Sequence, residues 1–81
     1  MNFSMALFTL QLGRRVTNRN WNGQGMYLEL QVPDKDRVNT QPYIFMRLPE
    51  THPVYPDARF PWLPSQLDLF SESWEIFKEG D

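Results

Sequence analysis

The stretch WNGQGMYLELQV, residues 21–32, joins a turn signal to a run of alternating apolar and polar residues. Asn22 and Gly23 both tolerate positive φ, which makes this dipeptide the strongest short-range signal of a β-hairpin. From Met26 to Val32 the apolar side chains fall at every second position, and this period predicts a strand with one buried face. The stretch therefore predicts an antiparallel hairpin whose first strand covers residues 14–21.

A helix is predicted before the hairpin. Asn2 is a good N-cap, and Gly13 can end a helix because it tolerates positive φ. Between them, four apolar residues have the spacing of one helix face: Phe3, Ala6, Leu7 and Leu10.

The remaining elements are predicted to be a strand over residues 43–48, a short helix through residues 64–70 and a last strand over residues 74–78. We expect Pro64 to lie in the first turn of the short helix. The connections are too short for parallel crossovers. The predicted fold class is α+β, with an N-terminal helix, a small antiparallel β-sheet and a short helix before the last strand.

All seven prolines lie between Pro33 and Pro64, but this part of the chain is not predicted to be disordered. Disordered linkers lack aromatic residues, whereas several lie here among the prolines: Tyr43, Phe45, Tyr55, Phe60 and Trp62. The composition therefore predicts packed loops, which can form the walls of a site.

Length and composition predict one domain over residues 1–81. A chain this short buries only roughly 60 to 65% of the surface that it exposes when unfolded, and it contains no cysteine for disulfide bonds. We therefore expect self-association to add to a thin core. The N-terminal segment has neither the basic region of a signal peptide nor the character of a membrane span, so we expect a cytoplasmic protein without a membrane partner.

The net charge of −2 argues against binding of DNA or RNA, which needs many cations to neutralise phosphates. The charge is uneven, because Arg14, Arg15 and Arg19 lie near the start and five acidic residues lie within residues 68–81. A small anionic ligand could use the basic region. The alternative is that both clusters are solvated surface.

The sequence lacks the patterns of a catalytic or metal site. His52 is the only histidine, it has no nucleophile motif beside it, and no ligand spacing of the zinc type is present. Asp68 and Glu72 could share acid–base work, with plain surface as the alternative. We therefore predict a protein that is not an enzyme and that uses neither a metal nor a cofactor.

The surplus of aromatic residues favours a binding surface. Stacking of a base on an aromatic ring contributes roughly 1 to 3 kcal/mol, so a planar nucleotide ligand suits this composition. The alternative is that Trp21, Trp62 and Trp74 form the core, as tryptophans of small domains commonly do. Trp74 is assigned to the core, because it begins an alternating strand with Ile76.

Two segments, WNGQGMYLEL (residues 21–30) and PWLPSQLDLFSESWEIF (residues 61–77), resemble the signature blocks of a small phage-encoded family, the Thoeris anti-defence sponges of the second type. Members also open with an amphipathic helix and a basic step, like residues 3–12 and GRRV at 13–16. The resemblance covers nearly the whole chain. Asn18 and Asn20 stand where relatives usually have arginine and glycine, and Ser73 where they commonly have aspartate.

The resemblance implies a homotetramer that sequesters, without cleaving it, the alarm signal of the Thoeris antiphage system, the cyclic ADP-ribose isomer 1''-3' glyco-cyclic ADP-ribose. Such a protein acts in the host cell cytoplasm and keeps the signal from its effector. Some relatives also capture cyclic dinucleotides at a separate site, so a second ligand class stays open. The alternatives are a hydrolase of these signals that uses Asp68 and Glu72, and a protein-binding inhibitor module.

The resemblance also implies which residues bind the ligand. A tight Asn22-Gly23 turn would hold Trp21 where its indole stacks on an adenine, and Trp62 resembles a second wall of the site. Hydroxyl, amide and carboxylate groups from the second block would contact base edges and ribose. The residues carried over by motif position are Arg19, Trp21, Asn22, Gly23, Met26, Tyr27, Trp62, Ser65, Gln66 and Asp68.

Overall fold

The computed structural model describes residues 1–21, 24–33 and 40–78, and it confirms the predicted α+β class. The described strands form one antiparallel sheet in the order β4-β3-β2-β1-β5. The elements in chain order are α1 (Phe3–Gln11), β1 (Val16–Asn18), β2 (Tyr27–Gln31), β3 (Tyr43–Arg47), β4 (Arg59–Pro61), α2 (Gln66–Phe70) and β5 (Trp74–Ile76).

The first helix begins and ends at the predicted residues. The Asn2 side chain accepts a hydrogen bond from the Met5 amide at 2.9 Å and so satisfies a free donor of the first turn. Gly13 follows the helix with φ +86°, and its amide donates to the Leu10 carbonyl at 2.9 Å. Ala6 and Leu10 are fully buried against the sheet.

The sheet places the last strand in the sequence beside the first. β2 and β3 pair over their whole length, from Tyr27↔Arg47 to Gln31↔Tyr43. On the other side β1 pairs with β2 at Val16↔Leu28 and with β5 at three positions, including Asn18↔Trp74. This order brings the end of β1 next to the segment that joins α2 to β5.

The connection between the two strands of the predicted hairpin is longer than predicted. β1 ends at Asn18 and β2 begins at Tyr27, so the connection spans residues 19–26 and is longer than a two-residue loop. The physical reason lies at Asn18, whose side-chain oxygen accepts from the Asn20 amide at 2.9 Å and turns the chain out of the sheet. Asn22 and Gly23 themselves lie outside the described residues.

Three smaller expectations also need correction. β4 was not predicted, because its residues lie among the prolines and all of them are exposed. Pro64 precedes the helix, since Ser65 is the N-cap of α2. Val32 is 62% exposed because β2 ends before it.

The core lies between α1 and one face of the sheet. Its fully buried members are Ala6, Leu10, Val16, Leu28 and Trp74. Trp74 is 1% exposed, which confirms its place in the core, while Trp21 and Trp62 are partly buried against this cluster. Within the described ranges, neither helix has the length and apolar character that a membrane span needs.

The opposite face of the sheet carries an aromatic and charged layer around Tyr27. The Tyr27 ring lies 4.7 Å from the Phe77 ring and 4.9 Å from the Arg15 guanidinium carbon. Arg47 donates to the Tyr27 hydroxyl at 3.0 Å and pairs with Asp57. The hydrogen bond to Asp57, and to a lesser degree the one to Tyr27, raises the pKa of Arg47 above its ordinary value. Tyr27 therefore faces away from Leu28, as the alternation predicts, but other side chains bury it.

Candidate functional site

An open cleft of about 610 Å³ lies between the turn that follows β1 and the segment 65–73. Its volume falls in the range of about 300 to 1,000 Å³ that is usual for small-molecule sites. Four of the residues predicted to bind ligand line it together: Trp21, Ser65, Gln66 and Asp68. The antiparallel pairing of β1 with β5 brings these residues together, because it sets the turn after β1 beside the segment that precedes β5.

The Trp21 ring is fixed by two contacts at the edge of the cleft. It meets Trp74 in a T-shaped arrangement, with ring centroids 5.3 Å apart and planes at 85°. Its indole Nε1 donates to Asp68 Oδ1 at 3.1 Å. Trp21 is only partly buried, so part of a well-held indole remains open to a ligand.

Asp68 and Ser65 form a capping box at the start of α2. Ser65 Oγ accepts from the Asp68 amide at 3.1 Å, and Asp68 Oδ2 accepts from the Ser65 amide at 2.8 Å. The Asp68 carbonyl also accepts from Trp74 Nε1 at 2.9 Å. The short helix is thus held by its own cap and by a core tryptophan, although none of its residues is buried.

Asn18 joins the two walls of the cleft, although it was not among the site residues predicted from the sequence. It is 5% exposed, and its Nδ2 donates to Ser71 Oγ at 3.0 Å. Ser71 Oγ in turn accepts from the Ser73 amide at 3.0 Å. One signal was available, because strand alternation places Asn18 on the same face as buried Val16, and a buried amide needs hydrogen-bond partners.

The other predicted site residues lie elsewhere. Trp62 packs on Phe3 and on Trp74 at centroid distances of 5.9 and 5.8 Å, within the aromatic part of the core. Arg19 has a side chain that is 65% exposed and whose Nε lies 3.7 Å from Glu75 Oε2. Neither residue lines the cleft. Met26 and Tyr27 do not line it either, and Tyr27 belongs to the layer on the opposite face of the sheet.

The charged groups of the cleft are acidic. Asp68 and Glu72 contribute carboxylates, and the described lining contains no lysine or arginine. The polar lining otherwise consists of hydroxyl and amide groups, which suit base edges and sugar hydroxyls. Within the part of the chain that the structure describes, no group of three or more histidine, cysteine, aspartate or glutamate residues could hold a metal ion.

A second, smaller hollow of about 190 Å³ lies across β2, β3 and β4. Its rings are Tyr43, Phe45 and Phe60, and its charged residue is Arg59. Phe60 and Arg59 are both exposed. The hollow therefore offers aromatic and cationic groups, but its volume is below the usual range for small-molecule sites.

Comparison with protein families identifies a match over nearly the whole chain. The model of the Tad2-like family, described as the Thoeris anti-defense 2-like domain, matches residues 1–77. The match includes both segments that line the cleft. No curated protein matches the sequence.

Proposed function

This chain belongs to the Thoeris anti-defense 2-like family, and we propose that it is a sponge for a nucleotide-derived alarm signal. It binds a cyclic ADP-ribose isomer, 1''-3' glyco-cyclic ADP-ribose, and withholds it from the host effector without cleaving it. It does so in the cytoplasm of the host cell, where the signal acts. Cyclic dinucleotides are the second ligand class to be tested.

The observation that carries this proposal is the partly exposed indole of Trp21 beside a cleft of about 610 Å³. A fixed ring at the mouth of a cleft is suited to stacking on a planar base. Ser65 and Gln66 are exposed on the facing wall, where a hydroxyl and an amide can contact ribose and base edges.

The acidic lining sets a requirement for the phosphates of the ligand. A sponge must compete with its target, and nanomolar binding corresponds to about −12 kcal/mol. One stacked base supplies roughly 1 to 3 kcal/mol of this. The diphosphate must therefore meet cations from outside the described lining, either Arg19 after a rotation of its exposed side chain or arginines of a second copy of the chain.

Exposed apolar residues support self-association, and we propose the homotetramer of the family as the working assembly. The helical surface exposes several large apolar side chains: Met5, Phe8, Leu12, Leu67 and Phe70. Large apolar side chains exposed on two neighbouring helices can form an interaction site. A ligand enclosed between two copies would lose more contact with water than one thin domain allows, and its binding would stabilise the assembly.

The hydrolase alternative finds little support at Asp68. Both of its carboxylate oxygens already accept hydrogen bonds within the protein, from Trp21 and from Ser65, which is the arrangement of a structural carboxylate. No observation favours this second function over sequestration.

Isothermal titration calorimetry of the purified protein with 1''-3' glyco-cyclic ADP-ribose tests the proposal. We expect a nanomolar dissociation constant, and light scattering should show an oligomer at micromolar concentration. Absence of binding to this isomer and to cyclic dinucleotides would refute the sponge function. A stable monomer would refute the tetramer.

A further inference from the structure

Each carboxylate oxygen of Asp68 accepts a hydrogen bond from within the protein. Oδ1 accepts from the Trp21 indole at 3.1 Å, and Oδ2 accepts from the Ser65 amide at 2.8 Å. The residue is partly buried, and its main-chain carbonyl is held by Trp74 Nε1. Asp68 therefore connects the partly buried Trp21 of the cleft to the cap of α2 and to the buried Trp74 of the core.

These contacts restrict the Trp21 ring more than packing alone would. The T-shaped contact with Trp74 does not by itself fix the side-chain torsions of Trp21. A hydrogen bond from Nε1 to a carboxylate is charge-assisted and stronger than a bond between neutral groups. The bond selects one orientation of the ring, and preorganised groups raise affinity because less conformational entropy is lost on binding.

We propose that Asp68 is a positioning residue, whose carboxylate holds the Trp21 ring in the orientation that the ligand stacks against and does not itself bind the ligand. The inference rests on the proposed function and revises the expectation that Asp68 contacts the ligand directly. It also accounts for an acidic side chain beside an anionic guest, since two N–H donors already engage the carboxylate.

Carboxylate chemistry is required at this position. The two N–H donors approach different oxygens of the carboxylate, and asparagine has an NH₂ group in place of one of these oxygens, so in the same position it can accept from only one of the two donors. Asp68→Asn must therefore lose one of the two hydrogen bonds while its volume is nearly unchanged. Ser65→Ala is the matched control, because it removes the acceptor for the Asp68 amide and leaves both bonds to the carboxylate in place.

The first test needs no ligand. In protein labelled with ¹⁵N-tryptophan, the Trp21 indole N–H resonance is assigned by its loss in Trp21→Phe. We expect this resonance to move and its hydrogen exchange to accelerate in Asp68→Ala, while Ser65→Ala leaves both nearly unchanged. An unchanged Trp21 resonance and exchange rate in folded Asp68→Ala would overturn the proposal.

The second test is a double-mutant cycle in calorimetry with 1''-3' glyco-cyclic ADP-ribose. Trp21→Phe keeps a ring for stacking but has no Nε1 donor. We expect Asp68→Ala to weaken binding at least tenfold in the natural chain and less than twofold in the Trp21→Phe background. Equal losses in the two backgrounds would assign Asp68 a direct ligand contact, and no loss in the natural chain would remove it from the site.

The two tests separate this inference from the proposed function. If the natural protein binds neither the isomer nor a cyclic dinucleotide, the sponge function fails, and the indole spectrum still decides whether Asp68 orients Trp21. Circular dichroism checks the fold of each variant. If Asp68→Ala unfolds, Asp68→Asn replaces it in both tests, with smaller changes expected in the same direction.

Discussion

The cleft beside Trp21 and the hollow beside Phe60 both have aromatic edges, yet they differ in size, in charge and in how their rings are held. The cleft has a volume of about 610 Å³ and an acidic lining, whereas the hollow has about 190 Å³ and carries Arg59. In the cleft, Trp21 has a hydrogen bond to a carboxylate and an edge contact with a core indole. Phe60 has no polar atom for such a bond and is 42% exposed.

Charge alone does not decide which of the two regions suits the proposed ligand. An anionic ligand would be drawn to Arg59 on electrostatic grounds, but the attraction of a single exposed cation is screened by salt. The cleft offers enough volume and a ring held in one orientation, and these features reduce the entropy lost on binding. The two regions can be compared directly by substitution.

The largest effect is expected at Trp74, which forms the buried support of the cleft. Its ring contacts Phe3, Trp21 and Trp62. Trp74→Ala should lower the free energy of unfolding by about 3 to 5 kcal/mol, the usual cost of removing a large buried aromatic ring. Chemical denaturation followed by circular dichroism measures this. A loss below about 1 kcal/mol would show that the cleft does not depend on the core.

The comparison itself is tested by Trp21→Ala against Phe60→Ala. Trp21→Ala should weaken binding of 1''-3' glyco-cyclic ADP-ribose by tenfold to a hundredfold, in line with the energy of a stacked base. Phe60→Ala should change the affinity less than twofold. Calorimetry on both variants measures the effect. A larger loss of affinity in Phe60→Ala than in Trp21→Ala would place the ligand in the hollow. If Trp21→Ala unfolds, the Trp21 ring has a role in the core alone.

Two glycines with the same φ angle test whether the connection that carries Trp21 packs against the rest of the protein. Gly13 and Gly25 both have φ +86°, but a Cβ on Gly25 would lie 2.9 Å from Pro49 Cβ, whereas one on Gly13 has no atom within 4 Å. Gly13→Ala should cost about 1 kcal/mol for the backbone strain alone. Gly25→Ala should cost roughly 1 kcal/mol more because Pro49 must also shift.

Thermal denaturation of the two glycine variants gives the difference. Equal losses of stability would mean that the end of this connection does not pack against Pro49.

The smallest effect is expected at Arg59 in the hollow. Arg59→Gln removes the cation and keeps a polar side chain of similar length. The affinity for the cyclic ADP-ribose isomer should change less than twofold, because the residue lies outside the cleft. A tenfold loss in calorimetry at 150 mM salt would show that the hollow binds the phosphates.

Local patterns predicted the elements whose structure depends on neighbours in the sequence. The cap at Asn2, the spacing of Ala6 and Leu10 and the glycine after the helix defined α1 without any tertiary information. The alternation after Met26 predicted β2 for the same reason. The antiparallel order followed from the short connections.

Features that depend on distant residues were not predictable in this way. Asn18 is buried at the end of β1, where its side chain bonds to Ser71 across 53 positions of the sequence. Tyr27 is buried because Arg15, Arg47 and Phe77 cover the face that alternation leaves open. Within the site, motif position named both Trp21 and Asp68, but the hydrogen bond between them lies across 47 positions.

The central claim is that the protein holds a nucleotide signal at Trp21 and releases it intact. The most direct measurement loads the protein with 1''-3' glyco-cyclic ADP-ribose, removes free ligand by desalting, denatures the protein by heat and identifies the released molecules by mass spectrometry. We predict that the intact cyclic ligand is recovered from the natural protein and is largely absent from Trp21→Ala. Recovery of ring-opened products, or of no ligand from the natural protein, would contradict the account.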